Sequence, residues 1–155
     1  MKGYYGRPVL KEPVWIWAVP AYFYAGGAAG AALVLGAVAQ LAGRDELRDL
    51  VRNCRRLGAL GTAGGGILLI YDLGRPERFL NMLRLFRPTS AMSIGSWTLA
   101  VAGASSAAAA VLPGIAGNTA GLVAGAAGLP LAGYTAVLLA DTAVPLWQSS
   151  RKVLP

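Results

Sequence analysis

At 155 residues, 55% hydrophobic and only 14% charged, the chain is too apolar for an ordinary soluble domain. It has no histidine and one cysteine, Cys54. Within this chain that excludes a haem held between imidazoles, a His-ligated metal, an internal disulfide and an iron–sulphur cluster. The net charge of +7 comes from basic residues placed between apolar runs, where membrane loops would lie, so bilayer edges rather than nucleic acid explain it.

The N-terminal segment, MKGYYGRPVLKEP, lacks the short apolar core of a signal peptide, so the first span is expected to be retained. That span covers about residues 14–42. It opens with Trp15, Trp17, Tyr22 and Tyr24, amphipathic rings suited to the headgroup level. Pro20 lies early enough to bend it rather than end it. The second span, about residues 57–73, is close to the minimum spanning length and carries Gly64, Gly65 and Gly66. Upstream, Leu47, Leu50, Val51, Cys54 and Leu57 share one helical face, which extends the helix into a charged segment. The third span covers about residues 93–112. An uncharged loop, GIAGN, leads to the fourth at about residues 119–141, where Pro130 predicts a kink.

These runs predict an all-α fold, an integral membrane four-helix bundle in a single transmembrane domain over residues 1–155. Small-xxx-small pairs (Gly26/Gly30, Gly61/Gly65, Gly117/Gly121, Gly121/Gly125) predict close helix packing. After the second span, Gly74 supplies a helix-stopping turn and Pro76 starts a new segment with Glu77 in its first turn. In ERFLNMLRLF, Phe79, Leu80, Met82, Leu83 and Phe86 form an apolar face opposite Arg78, Asn81 and Arg84, which predicts a short interfacial helix. Four spans place both termini on one side. Lys2, Arg7, Lys11, Arg75, Arg78, Arg84, Arg87, Arg151 and Lys152 lie there, against Arg44, Arg48, Arg52, Arg55 and Arg56 opposite. The positive-inside rule then puts the termini in the cytoplasm.

Chemistry is sought first where charge meets membrane, at residues 72–97. Asp72 has two readings: a loop anchor paired with Arg75, or a proton acceptor beside a lipid-soluble substrate with the arginine tuning it. Tyr134 and Asp141, seven residues apart, share a helical face roughly 10 Å apart along the axis. They lie at the depth of Asp72 and of the Trp17/Tyr22 end of the first span. An apolar or aromatic slot, a phenolic donor and carboxylates together suit a quinone. The competing reading makes Tyr134 a packing residue and Asp141 a helix-end charge. Trp97 is an interface anchor or a ring that stacks on a ligand. The serines of the third span bond their own backbone or a neighbouring helix.

The blocks WIWAVPAYFYAGGAAGA, DLGRPERFLNMLRLFRPTSAMSIGSW and LPLAGYTAVLLADTAVPLW resemble the N-terminal half of the NrfD/PsrC family, the polysulphide-reductase type of membrane subunit. The middle block is long and specific. The resemblance implies a haem-free, quinone-binding subunit in a bacterial or archaeal cell membrane. It would exchange electrons with an iron–sulphur subunit, which in turn serves a catalytic subunit often of the molybdopterin type. It favours Tyr134 as a quinone contact, with Asp72 and Arg75 as the proton-handling group and Asp141 as a further candidate. The quinone would be menaquinone or ubiquinone.

Two departures stand out. Ala18 occupies a position where many relatives carry a polar or ionisable residue. Relatives also generally have two four-helix halves, so a second four-helix half or a homodimer partner is implied. The alternatives are a non-catalytic anchor or assembly module and a small transporter.

Overall fold

A computed structural model describes residues 17–72, 81 and 83–140. Among the described residues four helices have both ends placed, in chain order α1 (Ala18–Leu41), α2 (Arg48–Asp72), α3 (Ala91–Val111) and α4 (Gly114–Ala140), with a 3-10 turn at Asp45–Leu47. There is no strand among the described residues. α1, α3 and the Gly114–Tyr134 part of α4 are long and apolar enough to cross a membrane. α2 has 25 residues, but its first turns carry Arg48, Asp49, Arg52, Arg55 and Arg56. Its apolar part, residues 57–71, is short for a span, so of the four expected spans three are long and apolar enough to cross a membrane among the described residues. The interfacial helix falls largely on residues 73–80 and 82, outside the described residues.

The helix limits have local causes. α1 stops because Gly43 adopts a left-handed φ of 64° and its N–H returns to the Gln40 carbonyl at 3.1 Å. Ser90 caps α3, its side chain accepting from the Ser93 N–H at 3.4 Å. The Ser93 hydroxyl in turn accepts from the Arg87 N–H at 3.0 Å, tying the entering chain to the helix. Only Leu112 and Pro113 separate α3 from α4. GIAGN, expected as a loop, forms the opening turns of α4, because Gly114 takes the positive φ of 64° that the turn requires. α4 continues through Pro130, whose missing N–H leaves the Ala126 carbonyl without its helical donor.

Each helix packs against two others, α1 on α2 and α4, and α3 on α2 and α4, so α1 lies diagonal to α3 and α2 diagonal to α4. Glycine makes the contacts close. A Cβ added to Gly30 of α1 would stand 2.7 Å from both the Ala132 nitrogen and the Gly128 oxygen of α4. One at Gly61 of α2 would stand 2.7 Å from the Ala29 Cβ of α1. These pairings, with Gly36 against Cys54 and Gly121 against Gln40, set neighbouring helices antiparallel. The core between them is built from Tyr22, Leu33, Leu99, Ala102, Ala124 and Leu131. Thr62 of α2 and Ser106 of α3 are buried, their hydroxyls 3.4 Å apart, while Thr62 also donates to the Gly58 carbonyl at 2.7 Å.

Glycine at position 30 faces backbone, which cannot yield, whereas Gly27 faces open space. Gly30→Ala is expected to lower stability by about 1–3 kcal/mol through overpacking. Gly27→Ala is expected to be neutral or to stabilise by up to about 1 kcal/mol through lost backbone freedom. Thermal unfolding of both variants in one detergent checks the contrast, and equal effects would refute the packing described.

Candidate functional site

Antiparallel packing gives the bundle two unlike ends. One end gathers the start of α1, the end of α2, the start of α3 and the end of α4. Tyr134, on α4, points inward there and is 9% exposed. Its hydroxyl donates to the Ala91 carbonyl of α3 at 2.9 Å. Its ring lies on Gly95, where any Cβ would overlap it, so glycine is what lets the phenol reach the first turn of α3. Beside it a groove of about 260 Å³ opens between the two helices. Ala91, Ile94 and Thr98 of α3 line it, with Pro130, Gly133, Tyr134 and Val137 of α4. Spacings of three and four residues put each set on one helical face. The lining is apolar except for the Tyr134 and Thr98 hydroxyls, which suits a flat ring that needs one or two hydrogen bonds for orientation.

The other residues singled out in the sequence share this end but not this groove. Asp72 is the last residue of α2 and is exposed, on the helix diagonal to α4. It makes no hydrogen bond or ion pair with a described residue; Arg75, its expected partner, lies outside the described residues, as do Gly74, Pro76, Arg78 and Asp141. Trp17 is 67% exposed and meets the Tyr71 ring at 6.2 Å, forming an aromatic rim on the α1–α2 side. Tyr22 is buried in the core, tilted against Phe23 at 5.9 Å and packed on Gly65 of α2. Trp97 meets Phe86 edge to face at 6.1 Å, and its indole N–H is buried with no acceptor among the described residues. Ala18 is fully buried.

The opposite end holds a polar centre that reading the sequence does not find. Arg55 of α2 donates through Nη2 to Gln40 Oε1 of α1 and to Asn118 Oδ1 of α4, both at 2.8 Å. Its Nη1 donates to the Ala109 carbonyl of α3 at 3.3 Å. Gln40 Nε2 closes the ring by donating to the Asn118 carbonyl at 2.9 Å. One guanidinium thus joins all four helices, using neutral acceptors only. Gly121 is what admits it, since a Cβ there would stand 3.1 Å from Arg55 Nε and Nη2. Spacing gives no sign of this centre, because its members are separated by up to 78 positions in the chain.

Among the described residues no carboxylate lies inside the bundle, and no three His, Cys, Asp or Glu side chains gather.

A profile of the family described as "Polysulphide reductase, NrfD" matches residues 9–112. No curated protein and no solved structure matches the chain.

Removing the Tyr134 hydroxyl and removing the space for its ring should differ in effect. Tyr134→Phe deletes one hydrogen bond and is expected to lower stability by about 1 kcal/mol. Gly95→Ala forces the ring away from α3 and is expected to lower it by more, within about 1–3 kcal/mol. Unfolding midpoints of the two variants check the order; a silent Gly95→Ala would contradict the contact.

Proposed function

The chain belongs to the NrfD polysulphide-reductase family and so is a membrane subunit of a redox complex, and we propose that it is the subunit that binds quinone or quinol. The observation that carries this reading is the Tyr134 hydroxyl set in the wall of the apolar α3–α4 groove. A phenol both donates and accepts. A quinone carbonyl would draw its hydrogen from the Ala91 oxygen, and a quinol would donate to the phenolic oxygen. Either partner would be oriented by one hydrogen bond while its ring displaces water or lipid from an apolar surface. The isoprenoid tail would leave between α3 and α4 into the bilayer, where Ile94 and Val137 are exposed.

Oxidation of one quinol releases two electrons and two protons. The electrons pass to an iron–sulphur partner and onward to a catalytic subunit, often of the molybdopterin type; the protons pass to Asp72 or Asp141. Asp72 lies at the same end as Tyr134 but on the diagonal helix, so it would take a proton across that end of the bundle rather than by direct contact. Trp17 and Trp97 would shape the approach to the site rather than form the groove, and Arg75 would tune its field. The exposed faces of the bundle support a further helical partner: in each span 33% of an 18-residue stretch is buried, and the rest needs lipid or another chain. That partner would be a second four-helix half or a second copy.

The anchor alternative draws on the same hydrogen bond, because Tyr134 bound to Ala91 also serves packing alone. Steady-state quinol oxidation by the assembled complex separates the two. Tyr134→Phe is expected to lower kcat/KM about tenfold, equivalent to about 1.4 kcal/mol, with complex assembly retained. Unchanged kcat/KM, with the iron–sulphur partner still attached, would overturn the quinone reading in favour of the anchor.

A further inference from the structure

At the end of the bundle remote from Tyr134, a basin of about 850 Å³ opens between the α1–α2 connection and the α3–α4 connection. Five arginines line it (Arg44, Arg48, Arg52, Arg55 and Arg56) against one acid, Asp45. Two of these cations are already paired: Arg48 with Asp45 and Arg52 with Asp49, each at 2.7 Å. Arg55 meets only neutral acceptors, and Arg44 and Arg56 meet no carboxylate among the described residues. The fixed positive charge of the basin is therefore uncompensated by the described chain. A bilayer edge lowers the local dielectric, so such a cluster repels itself more strongly than it would in water unless an anion joins it.

The position in the fold says what anion would fit. The basin lies where α1 and α3 end and α4 begins, at headgroup depth for the apolar helices. Beside its arginines stand exposed apolar side chains, Leu41 at the end of α1, Val111 at the end of α3 and Leu112 after it. Charge for a phosphate next to surface for acyl chains is the combination that an anionic phospholipid requires. Guanidinium forks match phosphate oxygens two at a time.

We propose that the arginine basin is a binding site for an anionic phospholipid headgroup. Arg44 and Arg56 supply the free guanidinium groups. Arg55, fixed by Gln40 and Asn118, forms the floor. The bound headgroup would neutralise the basin and clamp the α1–α2 connection to the α3–α4 connection, adding to the clasp that Arg55 makes from within. This role is independent of whatever binds beside Tyr134.

The test uses the purified chain with its native partners in a neutral detergent. Native mass spectrometry counts bound lipid after exchange with cardiolipin, phosphatidylglycerol, phosphatidylcholine or inorganic phosphate. Cardiolipin and phosphatidylglycerol are expected to be retained, and phosphatidylcholine and inorganic phosphate to wash away. Arg44→Gln with Arg56→Gln, both exposed and outside the Arg55 clasp, is expected to weaken retention about thirtyfold. Rising ionic strength is expected to release the lipid from the unaltered protein. Equal retention of phosphatidylcholine, or unaltered cardiolipin binding in the double variant, would overturn the proposal. So would retention of inorganic phosphate equal to that of cardiolipin, which would make the ligand a free anion. If the double variant fails to fold, indifference of cardiolipin retention to ionic strength in the unaltered protein overturns it alone.

Discussion

Contact of helix against helix at backbone distance is the constraint on which the rest of the protein depends. In a membrane, apolar side chains gain little by leaving lipid for one another, so helices associate by fitting closely. α1 and α4 fit closely because Gly30 meets the backbone at Gly128 and Ala132, and α1 and α2 because Gly61 meets Ala29. Weak backbone hydrogen bonds and dispersion act over such a surface, and a single methyl group would prop it open. Tyr134 reaches Ala91, and Arg55 reaches three other helices, only because Gly95 and Gly121 leave the room. Both polar features are consequences of small residues at helix interfaces.

The two ends of the bundle use that closeness differently. At the Arg55 end, a charge is drawn in and held by an amide from α1, an amide from α4 and a carbonyl from α3, with its Nε left without an acceptor among the described residues. Charge held by neutral dipoles is stable only if those dipoles stay fixed, so this end is built to be rigid. At the Tyr134 end the phenol hydroxyl donates from α4 to the Ala91 carbonyl of α3, and an apolar groove lies open beside it. Pro130, one turn before Tyr134, removes a hydrogen bond from the same stretch of α4.

Much of this arrangement is legible in the sequence, and the remainder fails for a definable reason. Apolar run length gives three helices long enough to span a membrane, and the 3.6-residue period of Leu47, Leu50, Val51 and Cys54 carries α2 back to Arg48. Depth is legible as well: Asp72, Tyr134, Trp17 and Tyr22 come to one end because spans alternate in direction. The rotation of each helix about its own axis is not legible. Positions along one chain segment fix which residues share a face, but which neighbour that face meets depends on all four helices together. Tyr22 therefore lies in the core, Trp17 on the α1–α2 rim and Trp97 against Phe86, none in the Tyr134 groove. The Arg55 clasp escapes for the same reason, since Gln40, Ala109 and Asn118 are unremarkable in sequence. Ser90 and Gly114, by contrast, carry ordinary cap and turn signals that place the start of α3 and the early start of α4.

The central claim, that the α3–α4 groove beside Tyr134 receives a quinone ring, is tested most directly by photolabelling the assembled complex with an azidoquinone and locating the adducts by peptide mass spectrometry. The account predicts adducts on the α3 segment holding Ala91, Ile94 and Thr98 and on the α4 segment holding Pro130 and Val137, suppressed by excess unlabelled quinone. Adducts confined to another subunit, or to the arginine end of the bundle, would contradict it.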